Sequence, residues 1–271
     1  MNFSSRRFRA PMLAVAAILA APVAASAAIT GFGDFSQFTI NVNDAGSPPS
    51  SPSAGTIQLT NGSNEVRSIF ANVPQTITQF TASFTYQATN VDAGTEHIGV
   101  GFVIENDPRA ASAIGVADTS SPPDGFGYQG IIKSVAVILD QNNLSLGNTA
   151  TSLFTNGATS GGGSISTSPV NLDSGDPISV QLAYSGSALT ETLTDTKTLA
   201  TFSTSFLPGN IATIVGGNNA FVGVTAGNGF VFGNDFISNF QFTSAAPEPA
   251  SLGVLGLGLT LLSARRRTHR R

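Results

Sequence analysis

Asp140 closes the apolar run Ile131 to Leu139 and is followed by Gln141, Asn142 and Asn143. A carboxylate with amide oxygens beside it can begin a hard-cation site, but calcium takes about six to eight oxygens. One Asp among asparagines is more often a solvated loop than a metal site. A second cluster, Asp124-Gly125-Phe126-Gly127-Tyr128, offers a carboxylate, a glycine whose amide a ligand can approach closely, and an aromatic ring that can stack or pack. Such a set suits binding rather than bond cleavage. His97 is the lone histidine between residues 28 and 246, and no nucleophile elbow accompanies it. Glu65, Glu96, Glu105 and Glu191 stand in no grouping of the kind that carboxylate-based glycoside hydrolysis uses. Gly161-Gly162-Gly163 is followed by neither a Gly-Lys-Ser signature nor a helix pattern, so it is no phosphate cradle. Asp107-Pro108-Arg109 reads as a turn carrying an ion pair. The chain is therefore expected not to be an enzyme.

The two ends carry addressing signals. Arg6, Arg7 and Arg9 precede the apolar stretch Met12 to Ala25, and Ala25-Ser26-Ala27 is a small-x-small cleavage site. Residues 1–27 are thus expected to form a signal peptide cut between Ala27 and Ala28, with a retained N-terminal anchor as the alternative. At the other end Pro247-Glu248-Pro249 leads into the apolar Ala250 to Ala264 and then Arg265, Arg266, Arg267, Arg270 and Arg271. A short transmembrane helix with arginines after it keeps that end cytoplasmic. The Pro-Glu-Pro triad, apolar helix and basic end in that order resemble the PEP-CTERM sorting tail. The resemblance covers residues 247–271 and implies an exosortase-type partner, a transient stay in the inner membrane, and delivery to the cell envelope, cell surface or extracellular matrix. A simple membrane anchor is the alternative. Between the ends lie Arg67, Arg109, Lys133 and Lys197 against fifteen acidic residues, a net charge of about −11, which argues against nucleic acid as a partner. Cysteine is absent, so neither disulfides nor Cys-held metals staple the body.

The body, residues 28–246, reads as a single all-β domain. Phe80, Ala82, Phe84 and Tyr86 alternate with polar residues across Ile77 to Gln87, a period of two that a helix cannot sustain. Ile98 to Ile104 and Ile131 to Leu139 are near-continuous apolar runs, expected as strands buried on both faces. Further strands are expected over Phe35 to Ile40, Asn148 to Thr155, Ile178 to Tyr184, Leu189 to Thr194, Thr198 to Phe206, Ala220 to Ala226 and Asp235 to Thr243. The turn dipeptide Asn61-Gly62 predicts a hairpin of Thr56 to Thr60 with Val66 to Ala71. Residues 47–55, rich in Pro and Ser, are expected as an exposed loop.

The order GFVIENDPRA, GFGYQGI, SVAVILD, with QTITQFTASFTYQ before it and AFVGVTAGNG and FISNFQF after it, resembles an L-type (legume-type) lectin domain. The resemblance spans most of residues 30–243 and implies a concanavalin-like jelly-roll sandwich of two antiparallel sheets, carbohydrate binding, and a calcium and manganese site. The family's Glu-x-Asp pair falls on Ile138 and Asp140, its histidine on Ala150, and its sugar-binding Asp on Ile98. Asp140 and Asn143 remain as the metal candidates, and with Ile138, Ala150 and Ile98 at those positions no cofactor is expected. Asp124, Gly125, Tyr128, Asn143 and Asn228 are the carbohydrate-binding candidates that the resemblance implies. The function so implied is an exported, envelope-sorted carbohydrate-binding protein of the bacterial polysaccharide matrix, with extracellular polysaccharide or another glycan as partner. The alternative is a structural or adhesive matrix protein on a lectin scaffold that has lost metal and sugar binding.

Overall fold

A computed structural model of the chain describes residues 28–43, 55–90, 99–116, 125–143, 145–229 and 233–245. The segments expected as signal peptide (1–27) and as sorting tail with a transmembrane helix (247–271), together with Ile98, Asp124 and most of the 47–55 loop, lie outside the described residues. Among the described residues no helix is long and apolar enough to cross a membrane.

The described strands are β1 (Ile29–Thr30), β2 (Phe38–Val42), β3 (Thr56–Gln58), β4 (Glu65–Ala71), β5 (Gln75–Thr76), β6 (Phe80–Thr89), β7 (Gly99–Glu105) and β8 (Ser134–Asn143). They continue with β9 (Asn148–Thr155), β10 (Ile165–Ser166), β11 (Ile178–Tyr184), β12 (Leu189–Asp195), β13 (Thr201–Phe206), β14 (Asn219–Asn228) and β15 (Asn234–Ser244). All pairings are antiparallel and they build two sheets. The first runs β1-β15-β6-β11-β12-β13, with β3 also on β15; the second runs β10-β9-β8-β7-β14-β4-β2, with β5 also on β14. This is the expected all-β, two-sheet sandwich.

Two apolar layers hold it together. Phe80, Phe84 and Tyr86 of β6 and Val180 and Leu182 of β11 meet Phe102 of β7 and Val135, Val137 and Leu139 of β8 between the sheets. The alternate residues of the second sheet, among them Val103, Ala136, Ile138 and Phe154, form a second layer with Phe126, Tyr128 and Ile131 from the segment before β8. Central strands sandwiched between two apolar layers must be apolar at every position, which is why β7 and β8 lack alternation.

Four expectations are corrected. Thr56 to Thr60 and Val66 to Ala71 do not form a hairpin: β3 pairs β15 in the first sheet and β4 pairs β14 and β2 in the second. Asn61-Gly62 is a crossing point between sheets, where the Glu65 carboxylate accepts both amides at 2.6 and 2.9 Å and Gly62 forms an isolated antiparallel bridge with Gly233. Phe35–Gln37 is a 3-10 turn, because Asp34 accepts hydrogen bonds from the Ser36 amide and hydroxyl and caps it; the strand starts at Phe38. The short helix α1 (Ile211–Val215) was not legible as an element. It is capped by the Asn210 side chain and ended by Gly216 at φ +80°, and it buries Ile211 and Val215.

The fourth correction concerns β13, which starts at Thr201 rather than Thr198. Asp195 accepts the Lys197 and Thr198 amides at 2.8 and 3.0 Å, holding a turn. That turn forces Leu199 to φ +63° while leaving it 74% exposed. The left-handed region costs a side-chain-bearing residue about 1–2 kcal/mol, and an exposed leucine buries little to offset it. Leu199→Gly is accordingly expected to raise the melting temperature by about 2–4 °C, read by calorimetry. A fall in that temperature would show that the turn is not strained.

Candidate functional site

The loop-covered face of the second sheet is assembled from side chains that anchor loops. Asp107, just past β7, takes Nε of Arg109 on Oδ1 at 2.8 Å and a second guanidinium nitrogen on Oδ2 at 3.0 Å. Asp107 Oδ2 also accepts the Ile132 amide at 3.0 Å, and Arg109 donates to the Ile114 carbonyl at 2.6 Å. Burial acts to raise the Asp107 pKa, but these hydrogen bonds and the Arg109 charge outweigh it and hold the carboxyl below its ordinary range. The pair thus ties residues 107–114 to the segment leading into β8, which is a structural role.

That segment lies directly on the sheet at Gly127. Its φ is +67°, and a Cβ there would stand 2.3 Å from the Ala226 carbonyl oxygen and 2.7 Å from that of Arg67. Tyr128 next to it is wholly buried, sharing a 2.7 Å hydrogen bond with Ser134 Oγ and accepting the Gly157 amide at 3.1 Å. Its ring packs. Gly125 is buried too, with its carbonyl taken by the Tyr128 and Gln129 amides. Asn228 is likewise engaged inside the protein, accepting the Glu65 amide at 2.8 Å and donating to the Gly62 carbonyl.

Asp140 and Asn143 are brought together. Asn143 Nδ2 donates to Asp140 Oδ2 at 2.9 Å, across an irregularity in the β8–β9 pairing. The same amide reaches Ser164 Oγ at 3.0 Å, and Ser152 Oγ reaches Ser164 Oγ at 3.1 Å. Asp140 Oδ1 accepts the Asn142 amide at 3.0 Å and Asn143 Oδ1 accepts that of Leu146 at 3.1 Å. Asp140, Asn143, Ser152 and Ser164 line a cleft of about 270 Å³ together with Phe126, Phe154 and the Gly161–Gly163 turn. The arrangement offers an acid, an amide and two hydroxyls beside two aromatic rings.

Register explains what the cleft lacks. Ile138 and Asp140 are two apart on β8, and their partners on β9 are Ser152 and Ala150. Asp140 therefore faces a methyl group across the strand pair, and Ile138 sinks into the apolar layer. A hard cation here would meet one carboxylate, an amide turned nitrogen-first toward it and hydroxyls already bonded to each other, well short of about six to eight oxygens. Among the described residues no three of His, Cys, Asp and Glu come together. Among the described residues the donor set falls short of what calcium or manganese takes.

Ser152, Ser164, Phe126 and Phe154 were not among the site residues read from the sequence. Ser152 and Phe154 alternate with inward-facing positions along β9, and the pairing with β8 that sets them opposite Ile138 and Ala136 puts them on the face that Asp140 shares. Ser164 carries no such signal, because it reaches the cleft through a turn. Gly125, Tyr128 and Asn228, buried and bonded within the protein, do not share the hydrogen-bond set of Asp140 and Asn143.

No family model and no curated protein matches the chain in sequence. Solved structures do match in shape. The chain is similar to basic winged bean lectin with Tn-antigen, at 14% identity and a TM-score of 0.65 over 82% of this chain and 99% of that one. It is similar to Lotus tetragonolobus seed lectin, at 17% identity and a TM-score of 0.63 over 83% and 100%. A lectin from Bauhinia forficata in complex with GalNAc matches at 15% identity and a TM-score of 0.61 over 82% and 99%. The residues described here therefore adopt the fold of the legume lectins, across nearly the full length of those proteins.

Proposed function

We propose that the chain is a metal-independent carbohydrate-binding protein of lectin type, exported and sorted to the envelope or extracellular matrix. The observation that carries the binding is the cleft lined by Asp140, Asn143, Ser152 and Ser164 together with Phe126 and Phe154. Carboxylate, amide and hydroxyl groups exchange hydrogen bonds with sugar hydroxyls, while aromatic rings take the apolar face of a pyranose. Export is supported by Ala25-Ser26-Ala27 after an apolar stretch. The Pro247-Glu248-Pro249 tail supports handling by an exosortase-type enzyme with a transient inner-membrane stage. A structural or adhesive role on the same scaffold is the second reading. It is favoured by the self-contained bonding of Asn143, Ser152 and Ser164, which leaves fewer groups for a ligand.

A glycan array in EDTA separates the two. Binding is expected without metal, and Asp140→Ala with Ser152→Ala is expected to weaken it about tenfold, two hydrogen bonds at roughly 0.5–1.5 kcal/mol each. A blank array would favour the structural role. In parallel, about 1 mM calcium plus manganese is expected to move the melting temperature by about a degree or less. A rise of several degrees, abolished by Asp140→Ala, would overturn metal independence.

A further inference from the structure

The outward face of the first sheet is polar and uncharged over five adjoining strands. From Thr81 to Thr85, Ser179 to Ala183, Thr190 to Thr194, Thr201 to Ser205 and Gln241 to Thr243, each residue that points away from the core is Thr, Ser, Gln or Ala. None is charged, although the body as a whole carries about −11. Register sets these residues abreast: Gln241, Ser83, Gln181, Thr192 and Ser203 stand side by side on β15, β6, β11, β12 and β13. Five strands at about 4.8 Å spacing make this row roughly 19 Å long.

A shallow groove of about 310 Å³ crosses the face, lined among others by Thr81, Ser83, Gln181, Thr192, Gln241 and Thr243. At one margin the hydroxyls pair with each other, Thr190 with Ser205 at 3.1 Å and Thr192 with Ser203 at 3.2 Å. Toward the other, the side chains of Thr81, Ser83, Gln181, Gln241 and Thr243 make no hydrogen bond within the described residues. The groove thus holds a row of donors and acceptors with no internal use. Its lack of cations gives nothing to an anionic polymer, and its lack of anions gives nothing to a basic one. Leu182 is the one large apolar residue along it and is buried in the core, so an apolar partner would leave the hydroxyls and amides unmatched.

We propose that this groove is a second binding surface, taking a neutral, extended polysaccharide. An uncharged polyhydroxyl chain matches the groove in charge and trades hydrogen bonds along its length. The Asp140 cleft lies on the loop-covered face of the other sheet, on the far side of the sandwich. One molecule therefore holds two glycan chains on opposite faces and cross-links them, a geometry in which weak single contacts sum to firm attachment.

Affinity electrophoresis of the full chain tests this in gels containing dextran, hydroxyethylcellulose or galactomannan, with alginate as the anionic control. Retardation is expected in at least one neutral gel and not in alginate. The exposed double variant Gln181→Ala, Gln241→Ala is expected to weaken it about tenfold. Asp140→Ala is expected to leave it unchanged. No retardation in any neutral gel, or retardation that survives the double variant, overturns the proposal. Retardation lost on Asp140→Ala assigns the binding to the other cleft and also overturns it. Sedimentation of the same proteins covers the remaining occupant: self-association abolished by the double variant, without glycan retention, makes the face an interface between copies and overturns the proposal too. Array binding through the Asp140 cleft succeeds or fails independently of every one of these outcomes.

Discussion

Glu191→Gln is expected to make the protein markedly more stable than the wild type at pH 8 and to lose that advantage as the pH falls to about 4. Glu191 sits on β12 between Leu189 and Leu193 and is fully buried in the inter-sheet core, and neither carboxyl oxygen has a hydrogen-bond partner. Burial pushes its pKa up to about 7, against the smaller opposing influence of Thr151 on the facing sheet. In the unfolded chain the group titrates near 4.5. Between those values the native state binds the extra proton, so stability falls as pH rises through the window and stays low above it. A shift of that size is worth about 3 kcal/mol, or roughly 5–10 °C in melting temperature for a domain of this size. Glu105 acts in the same direction, since burial pushes it up to about 8. The difference between wild type and Glu191→Gln, measured by calorimetry from pH 4 to pH 8.5, isolates the one group. A pH-independent difference would mean that Glu191 is ionised in a solvated site and that the core is less tightly closed.

Gly127→Ala is expected to cost about 3–5 kcal/mol and to abolish binding in the Asp140 cleft. The added Cβ would meet two backbone oxygens at 2.3 and 2.7 Å, and neither can move without shifting β14 or β4. The φ of +67° adds strain to the clash. Displacing Gly127 displaces Phe126, which forms part of the cleft wall. Gly130→Ala is the matched control: its φ is +80°, but the nearest atom to its added Cβ is 3.8 Å away, so strain alone remains. Gly130→Ala is expected to cost about 1 kcal/mol and to keep glycan binding. Equal melting temperatures for the two variants would show that the segment is not seated on the sheet at Gly127.

Much of the architecture was legible because its signals are local. The two-residue period of Phe80, Ala82, Phe84 and Tyr86 states which side of β6 is dry, and all four are buried. The unbroken apolar runs of β7 and β8 announced cover on both faces. Ile138 and Asp140, two apart on a strand, had to share a face, so the loss of a same-face carboxylate partner was readable without coordinates. What a turn joins was not readable. Asn61-Gly62 bends the chain whether the next strand returns beside the last or crosses to the opposite sheet, and the pairing of β3 with β15 and of β4 with β14 and β2 decides which. The cleft was legible in half. Asp140 and Asn143 are neighbours in sequence, whereas Ser152, Ser164, Phe126 and Phe154 reach them through strand register and loop packing. Periodicity says which way a side chain points; it carries nothing about which distant side chain it meets. That is set by the pairing of β8 with β9 and by the backbone contact at Gly127, both of which depend on atoms far apart in the chain.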